Sequence, residues 1–295
     1  MREFQKFIVC GALFCLIVLS STADAVPSNS TGNRIWDENL NLTVEYTWTP
    51  QSFSGFYYNV NTGEGSENLT VNLSNTDKRT ISAGNMIYET RPLNSDFKYH
   101  DWGEYQAIGF MTERYFAGYS GSEFSDNISL MSNEKLSKIL IDNNEKKSLY
   151  TGSSLILEEG YELEIKEVDK DGKKVLIDLS KNGEHIETDL VGSNGDYTYK
   201  KDLGLNEEVA IIAVHLDDIF KGTETNAVFI NGVFQISDEL SSINSSDTYG
   251  KMEVFSISPE KITMKNQEEI TLTKGDTVEV MGKLKLMIAN NNTLR

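Results

Sequence analysis

The sequence has 295 residues, with 27 basic side chains against 45 acidic ones and a formal charge of −18. Such a balance excludes binding to a phosphate backbone, which needs a basic stripe that no cluster of Lys and Arg supplies here. Three histidines and two cysteines in the whole sequence leave little for zinc, thiol or pH-switch chemistry.

At the start, Arg2 and Lys6 precede an apolar run from Phe7 to Leu19, and Ala23-Asp24-Ala25 has the small-x-small form that signal peptidase recognises. Residues 1–25 therefore read as a cleaved secretory signal. As a helix the run would rise only about 20 Å, short of the roughly 30 Å hydrocarbon core of a bilayer. Cys10 and Cys15 both lie inside it, so the mature chain carries no thiol, and disulfides and cysteine nucleophiles are excluded. The signal removes two bases and two acids, so the charge of the mature chain is unchanged.

Beyond residue 25 the longest apolar runs are strand-sized, such as "VAIIAV" at 209–214, and no transmembrane anchor is expected in the mature chain. Seven Asn-x-Ser/Thr sequons follow, at Asn29, Asn41, Asn68, Asn72, Asn127, Asn244 and Asn291. In "NLTVNLS" Leu69, Val71 and Leu73 point one way on a strand, so Asn68 and Asn72 point the other, about 13 Å apart on one solvent-facing surface.

Residues 101–121, "DWGEYQAIGFMTERYFAGYSG", form the densest aromatic stretch. Bulk falls on both alternating faces, which predicts a strand covered on both sides. Trp102, Tyr105, Phe110, Tyr115, Phe116 and Tyr119 are the expected structural core, each able to bury 150–250 Å². Stacking of these rings on carbohydrate is the rival reading. "SNEKLSKIL" at 132–140 fits a helical turn or a strand.

The stretch 161–191 predicts a three-stranded meander, with Asp171-Gly172 and Asn182-Gly183 as hairpin turns. Further strands are predicted at about 207–216, 226–237, 251–257, 260–265, 268–273 and 276–289. Turn signals every eight to twelve residues make the fold all-β. Polar stretches at 142–154 and 241–250 suggest boundaries. They divide the chain into a first β-sandwich domain at 26–148, with 246–295 as its candidate completion, and a second at 149–245.

Catalytic signals are weak. The three histidines have no partner at ligand spacing, and His215, which ends an apolar strand, reads as structural. "GYSGS" at 118–122 does not place its serines as a nucleophile elbow requires. "DKDG" at 169–172 lacks the remaining ligands of a calcium loop. Acidic pairs such as Glu158-Glu159 and Asp217-Asp218 put their side chains on opposite faces of a strand. No enzyme activity and no cofactor are expected, and divalent cations could at most bridge acidic edges at sites the sequence does not name.

Taken in order, the 101–119 stretch, "KLSKILID", "LEEGYELEIKEVDKDGKKVLIDLSKNGE", "EVAIIAVHLDDIF", "GVFQISDE", "YGKMEV" and "NNNTLR" resemble the S-layer family of methanogenic archaea. So do "GNRIWDE" at 32–38 and "FSGFYYNVNTG" at 53–63. Members of that family carry a duplicated domain, of which this sequence is expected to hold one copy. The resemblance implies two β-sandwich-like domains forming one S-layer repeat. It also implies a secreted, glycosylated cell-envelope protein outside the cytoplasmic membrane, whose partners are itself or other S-layer subunits laterally. A secreted carbohydrate- or surface-binding β module without a lattice role is the alternative, and an envelope hydrolase using scattered carboxylates ranks last.

Overall fold

A computed structural model describes residues 45–73 and 79–292. The described residues contain no α-helix, only strands, two short 3₁₀ turns at His100–Trp102 and Met131–Asn133, and connecting loops. All strand pairings are antiparallel. The expected signal segment, Asn29 and Asn41 lie outside the described residues.

Three sheets carry the architecture. A six-stranded sheet runs in the order Glu45–Trp48, Glu67–Asn72, Met86–Thr90, Lys261–Asn266, Met252–Ser258 and Thr248–Tyr249. Residues near the C-terminus therefore pair into the sheet begun by the earlier strands, with Ile262 opposite Thr90 and Met264 opposite Tyr88. A larger sheet runs Gly195–Leu203, Asn206–Lys221, Asn226–Ser242, Lys135–Tyr150, Glu113–Ser122, Gly103–Phe110 and Leu93–Asp96, with Ile128–Ser129 added beside Glu113–Ser122. The third is a meander of Ser154–Ile156, Tyr161–Val168, Lys174–Lys181 and Glu184–Gly192.

Period-two patterning explains these placements. Along Tyr161–Val168 and Lys174–Lys181, Tyr161, Leu163, Ile165, Val175, Ile177 and Leu179 are buried while their neighbours are not. The meander gains one edge strand, Ser154–Ile156, that the sequence pattern does not predict. Asn182 and Gly183 both take positive φ (53° and 82°), the conformation of a type I′ turn. The 169–174 loop is wider. Only Gly172 is left-handed there, and Asp169 Oδ1 accepts the amides of Lys173 and Lys174.

The polar stretch that begins at residue 142 does not interrupt the structure, because the strand Lys135–Tyr150 runs through it. The predicted 276–289 strand is a hairpin, Thr277–Met281 with Leu284–Met287.

Two apolar cores result. One is enclosed by the meander and the larger sheet, with Leu163, Ile177, Ile212, Val228 and Phe234 among its members. The other lies between the six-stranded sheet and the strands Gly103–Phe110 and Glu113–Ser122, with Leu69, Tyr88, Ile108, Phe110, Met252 and Met264. Ile108 and Ala107 are adjacent in sequence yet belong to different cores, since successive strand side chains face opposite ways. The larger sheet is thus covered on both faces along its aromatic strands.

Candidate functional site

The aromatic stretch is where the two cores meet. Trp102, Tyr105, Phe116 and Tyr119 are buried in the first core and Phe110 in the second, while Tyr115 is half-buried against the second. Phe116 and Tyr119 reach the same core although they are three positions apart, an odd spacing that strict alternation would send to opposite faces. The register slips at two places in their pairing with Gly103–Phe110, and each bulge resets the alternation. Phe97 and Phe234 complete the cluster. The Phe97 ring lies 4.8 Å from both Tyr105 and Phe234 and edge-on to Trp102 at 5.8 Å.

The polar ends of these rings all have partners. Trp102 Nε1 donates to Asp196 Oδ1 at 2.9 Å, Tyr119 donates to the carbonyl of Ala210 at 2.6 Å, and Tyr105 donates to Asp142 Oδ2 at 2.9 Å. Burial raises the phenols of Tyr105 and Tyr119 well above the usual tyrosine range, so both stay neutral donors. Gly103 turns the chain from Trp102 into the strand with φ 80°. A Cβ there would stand 2.2 Å from the carbonyl oxygen of Gly121. Of the six rings only Tyr115 is part-exposed, so the other five offer carbohydrate no free face to stack on.

His215 is buried, pairs across strands with Asp196, and its Nδ1 lies 2.8 Å from Asp196 Oδ1. The Tyr99 ring stacks on it at 4.3 Å, and burial followed by the charge of Asp101 pushes the Tyr99 phenol up to about 12. One carboxylate oxygen thus orients both the indole and the imidazole.

The second junction is Glu67. Its side chain is 1% exposed, accepts the backbone amides of Tyr57 (2.8 Å) and Thr112 (2.9 Å), and accepts the Tyr88 hydroxyl at 2.7 Å. Burial raises its pKa, and these three hydrogen bonds oppose the rise. Glu67 therefore ties the six-stranded sheet to the hairpin tip at Met111-Thr112. A Cβ on Gly109 would lie 2.2 Å from Glu67 Oε2, so that glycine makes room for the carboxylate.

The acidic pairs do not converge. Glu159 accepts the Ser237 hydroxyl and the amide of Asp238, while Asp217 pairs with Lys146 at 3.4 Å on the surface. "DKDG" spends its first carboxylate on its own loop, and "GYSGS" lies along the strand Glu113–Ser122. Among the described residues no group of three His, Cys, Asp or Glu side chains could hold a metal ion.

The sequons divide by exposure. Asn127 and Asn244 are exposed, whereas Asn68, Asn72 and Asn291 are half-buried. Leu69 and Val71 are buried opposite Asn68 and Asn72. The Asn72 amide donates to Glu45 at 3.2 Å and the Asn244 amide to Asp247 at 3.1 Å.

The polar groups singled out above spend their hydrogen bonds on one another and on the backbone. Residues 37–290 match the profile of a family described as S-layer protein. The chain belongs to the S-layer protein family. It is 30% identical over 246 residues to the major S-layer protein of Methanosarcina mazei, covering 80% of this chain and 35% of that relative. It is 29% identical over 259 residues to the major S-layer protein of Methanosarcina barkeri, and 29% over 261 residues to that of Methanosarcina acetivorans. Each of these alignments covers 84% of this chain and 37% of the relative. This member of the S-layer family thus spans about a third of the length of the curated relatives it matches. Among its described residues no helix is long and apolar enough to cross a membrane.

Glu67, Phe97, Asp196 and Phe234 are absent from the candidates drawn from the sequence. Glu67 carries a readable signal, since it is in phase with Leu69 and Val71, the buried alternation of its strand. Asp196 carries none, because its partner Trp102 is 94 residues away.

Proposed function

We propose that this protein is a secreted structural component of a cell-surface S-layer, assembling laterally with other S-layer subunits outside the cytoplasmic membrane and performing no catalysis. The observation that carries this reading is the family match across residues 37–290. A fold in which one sheet serves two cores supports it, because such a panel resists bending between its halves. On this reading the described parts of 26–148 with 246–295 make one module and residues 149–245 the other, joined through the larger sheet, whose strands come from both. The formal charge of −18 gives pores between subunits a field that repels anions over about a Debye length of 8 Å at physiological salt.

The same reading makes Asn127 and Asn244 the sequons to carry glycan, because an exposed asparagine needs no core rearrangement to meet a transferase. Immunogold electron microscopy of isolated envelopes tests the location. Gold restricted to the outer layer is the expected result, and label confined to the medium or cytoplasm overturns it. Mass spectrometry of the purified protein reads the sequons directly.

A further inference from the structure

Three sequons have all three of their residues in the described part of the chain, and they differ at the third position. Asn244, Ser245 and Ser246 are all exposed in a loop. In Asn68-Leu69-Thr70 the middle residue is buried within a strand, and the Thr70 hydroxyl is hydrogen-bonded to that of Thr47 at 2.7 Å. In Asn127-Ile128-Ser129 the asparagine is exposed, but Ile128 and Ser129 form a two-residue strand against Tyr119 and Gly118. The Ser129 Oγ is buried there and finds no hydrogen-bond partner among the described residues.

A buried hydroxyl that makes no hydrogen bond lowers stability and calls for an explanation. Alanine would occupy the same space without that penalty. The folded protein makes no use of the Ser129 hydroxyl, but the sequon does, because the residue two positions after an acceptor asparagine must be serine or threonine. Resting on the glycosylation reading above, we infer that Asn127 receives its glycan before Ile128–Ser129 docks, and that docking then closes the site. Asn244, by contrast, stays open to the transferase after folding.

The asparagine itself needs no core rearrangement; the serine needs its strand undocked. The docked strand lies very close to its neighbour. A Cβ on Gly118 would stand 2.0 Å from the Ile128 carbonyl oxygen, so only glycine at 118 admits it. In the transfer, Asn127 Nδ2 attacks the anomeric carbon of a sugar carried on a lipid phosphate. The C–N bond forms as the bond from that carbon to the phosphate oxygen breaks. The phosphate leaves with the electron pair, and an amide proton passes to a base of the transferase.

Bare full-length protein, made in a host without the transferase, tests the order of events. It is incubated, folded, with membranes of the native host and their lipid-linked oligosaccharide, and each sequon is read by mass spectrometry. Wild type is expected to gain glycan at Asn244 and at least about tenfold less at Asn127, where the strand must first open. Gly118→Ala, which blocks docking, is expected to bring Asn127 up to the level of Asn244. Folded wild type left bare at Asn244, or modified as fully at Asn127 as at Asn244, overturns the inference. So does a Gly118→Ala protein no more reactive at Asn127 than wild type. Ser129→Ala gives an independent reading, with a Tm equal to or above that of wild type expected beside loss of the Asn127 glycan in the native host. A clear drop in Tm would show that the hydroxyl serves the fold, and would overturn the inference as well. Native protein bare at Asn127 yet found in the outer layer by immunogold sinks this inference alone, whereas protein absent from that layer sinks the lattice reading.

Discussion

Trp102 and His215 share a single oxygen of Asp196. The indole Nε1 lies 2.9 Å and the imidazole Nδ1 2.8 Å from Oδ1, although Trp102 lies in the 3₁₀ turn before one strand and His215 lies on another. The carboxylate stands at the wall of the first core and fixes the ring orientation of both neighbours. Trp102→Ala should cost about 3–5 kcal/mol from lost packing and the cavity left behind. Asp196→Ala removes no apolar volume from the cluster but strands a buried indole N–H, which should cost about 1–3 kcal/mol. Urea unfolding followed by tryptophan fluorescence reads both. An Asp196→Ala protein as stable as the wild type would mean that the shared oxygen only tolerates its two neighbours.

Glu67 joins three donors from three segments inside the second core, so Glu67→Ala leaves the amides of Tyr57 and Thr112 and the hydroxyl of Tyr88 without an acceptor. A loss of about 3–5 kcal/mol is expected, the range for removing one partner of a buried charged group. Glu67→Gln keeps the shape and tests the charge. Burial raises the folded pKa above the unfolded value, so the folded state holds this proton more tightly. The contribution is full below the unfolded pKa, near 4.3, and is lost as pH rises through the folded value. Wild type should therefore lose ground relative to Glu67→Gln between about pH 4 and neutrality, as read by unfolding midpoints across that window.

Much of this fold is legible in the sequence for a specific reason. Alternation within a strand is a local property, and Tyr161 to Leu179 or Leu69 to Val71 declare their buried faces without reference to the rest of the chain. Asn182-Gly183 declares its turn in the same way, because positive φ is cheap for those two residues. The course of the chain past residue 142 is not legible. Polar side chains such as Lys146 and Lys147 belong there because that part of the strand is a sheet edge, and composition cannot distinguish an edge strand from a linker. The division of the aromatic stretch between two cores rests on bulges, and a bulge depends on the partner strand. Glu67 was readable from its phase, but only by accepting that a carboxylate occupies a buried position.

The hairpin tip at Met111-Thr112 has both residues in the left-handed region, φ 53° and 71°, without a glycine or asparagine. A β-branched residue there is strained by about 1–3 kcal/mol, and the Thr112 amide bonded to Glu67 helps hold the conformation. Thr112→Gly keeps that amide and relieves the strain, so it should raise Tm, by an amount equivalent to about 0.5–1 kcal/mol after the entropy of the unfolded glycine is counted. Gly103→Ala, where φ is 80° and the Cβ position is filled by the Gly121 carbonyl, should lower Tm sharply in the same differential scanning calorimetry series.

Asp238 supplies the acid limb. From the strand Asn226–Ser242 it accepts Lys201 Nζ at 2.6 Å, Lys181 Nζ at 2.9 Å and the Tyr161 hydroxyl at 2.9 Å. Lys181 and Tyr161 belong to the meander, so this carboxylate fastens that sheet to the larger one. Burial works against its charge, but Lys201 and Lys181 outweigh it and hold the carboxyl below the ordinary aspartate range. A depressed folded pKa contributes stability that is present above the unfolded value of about 3.9 and is lost as pH falls through the folded one. Asp238→Asn should therefore be less stable than wild type by about 1–3 kcal/mol near neutrality, the range for hydrogen bonds to charged groups. The gap should close progressively below about pH 4. Because both lysines are partly exposed, about 1 M salt should narrow the gap without abolishing it. A gap that stays constant from pH 7 down to pH 2 would show that Asp238 contributes through shape alone.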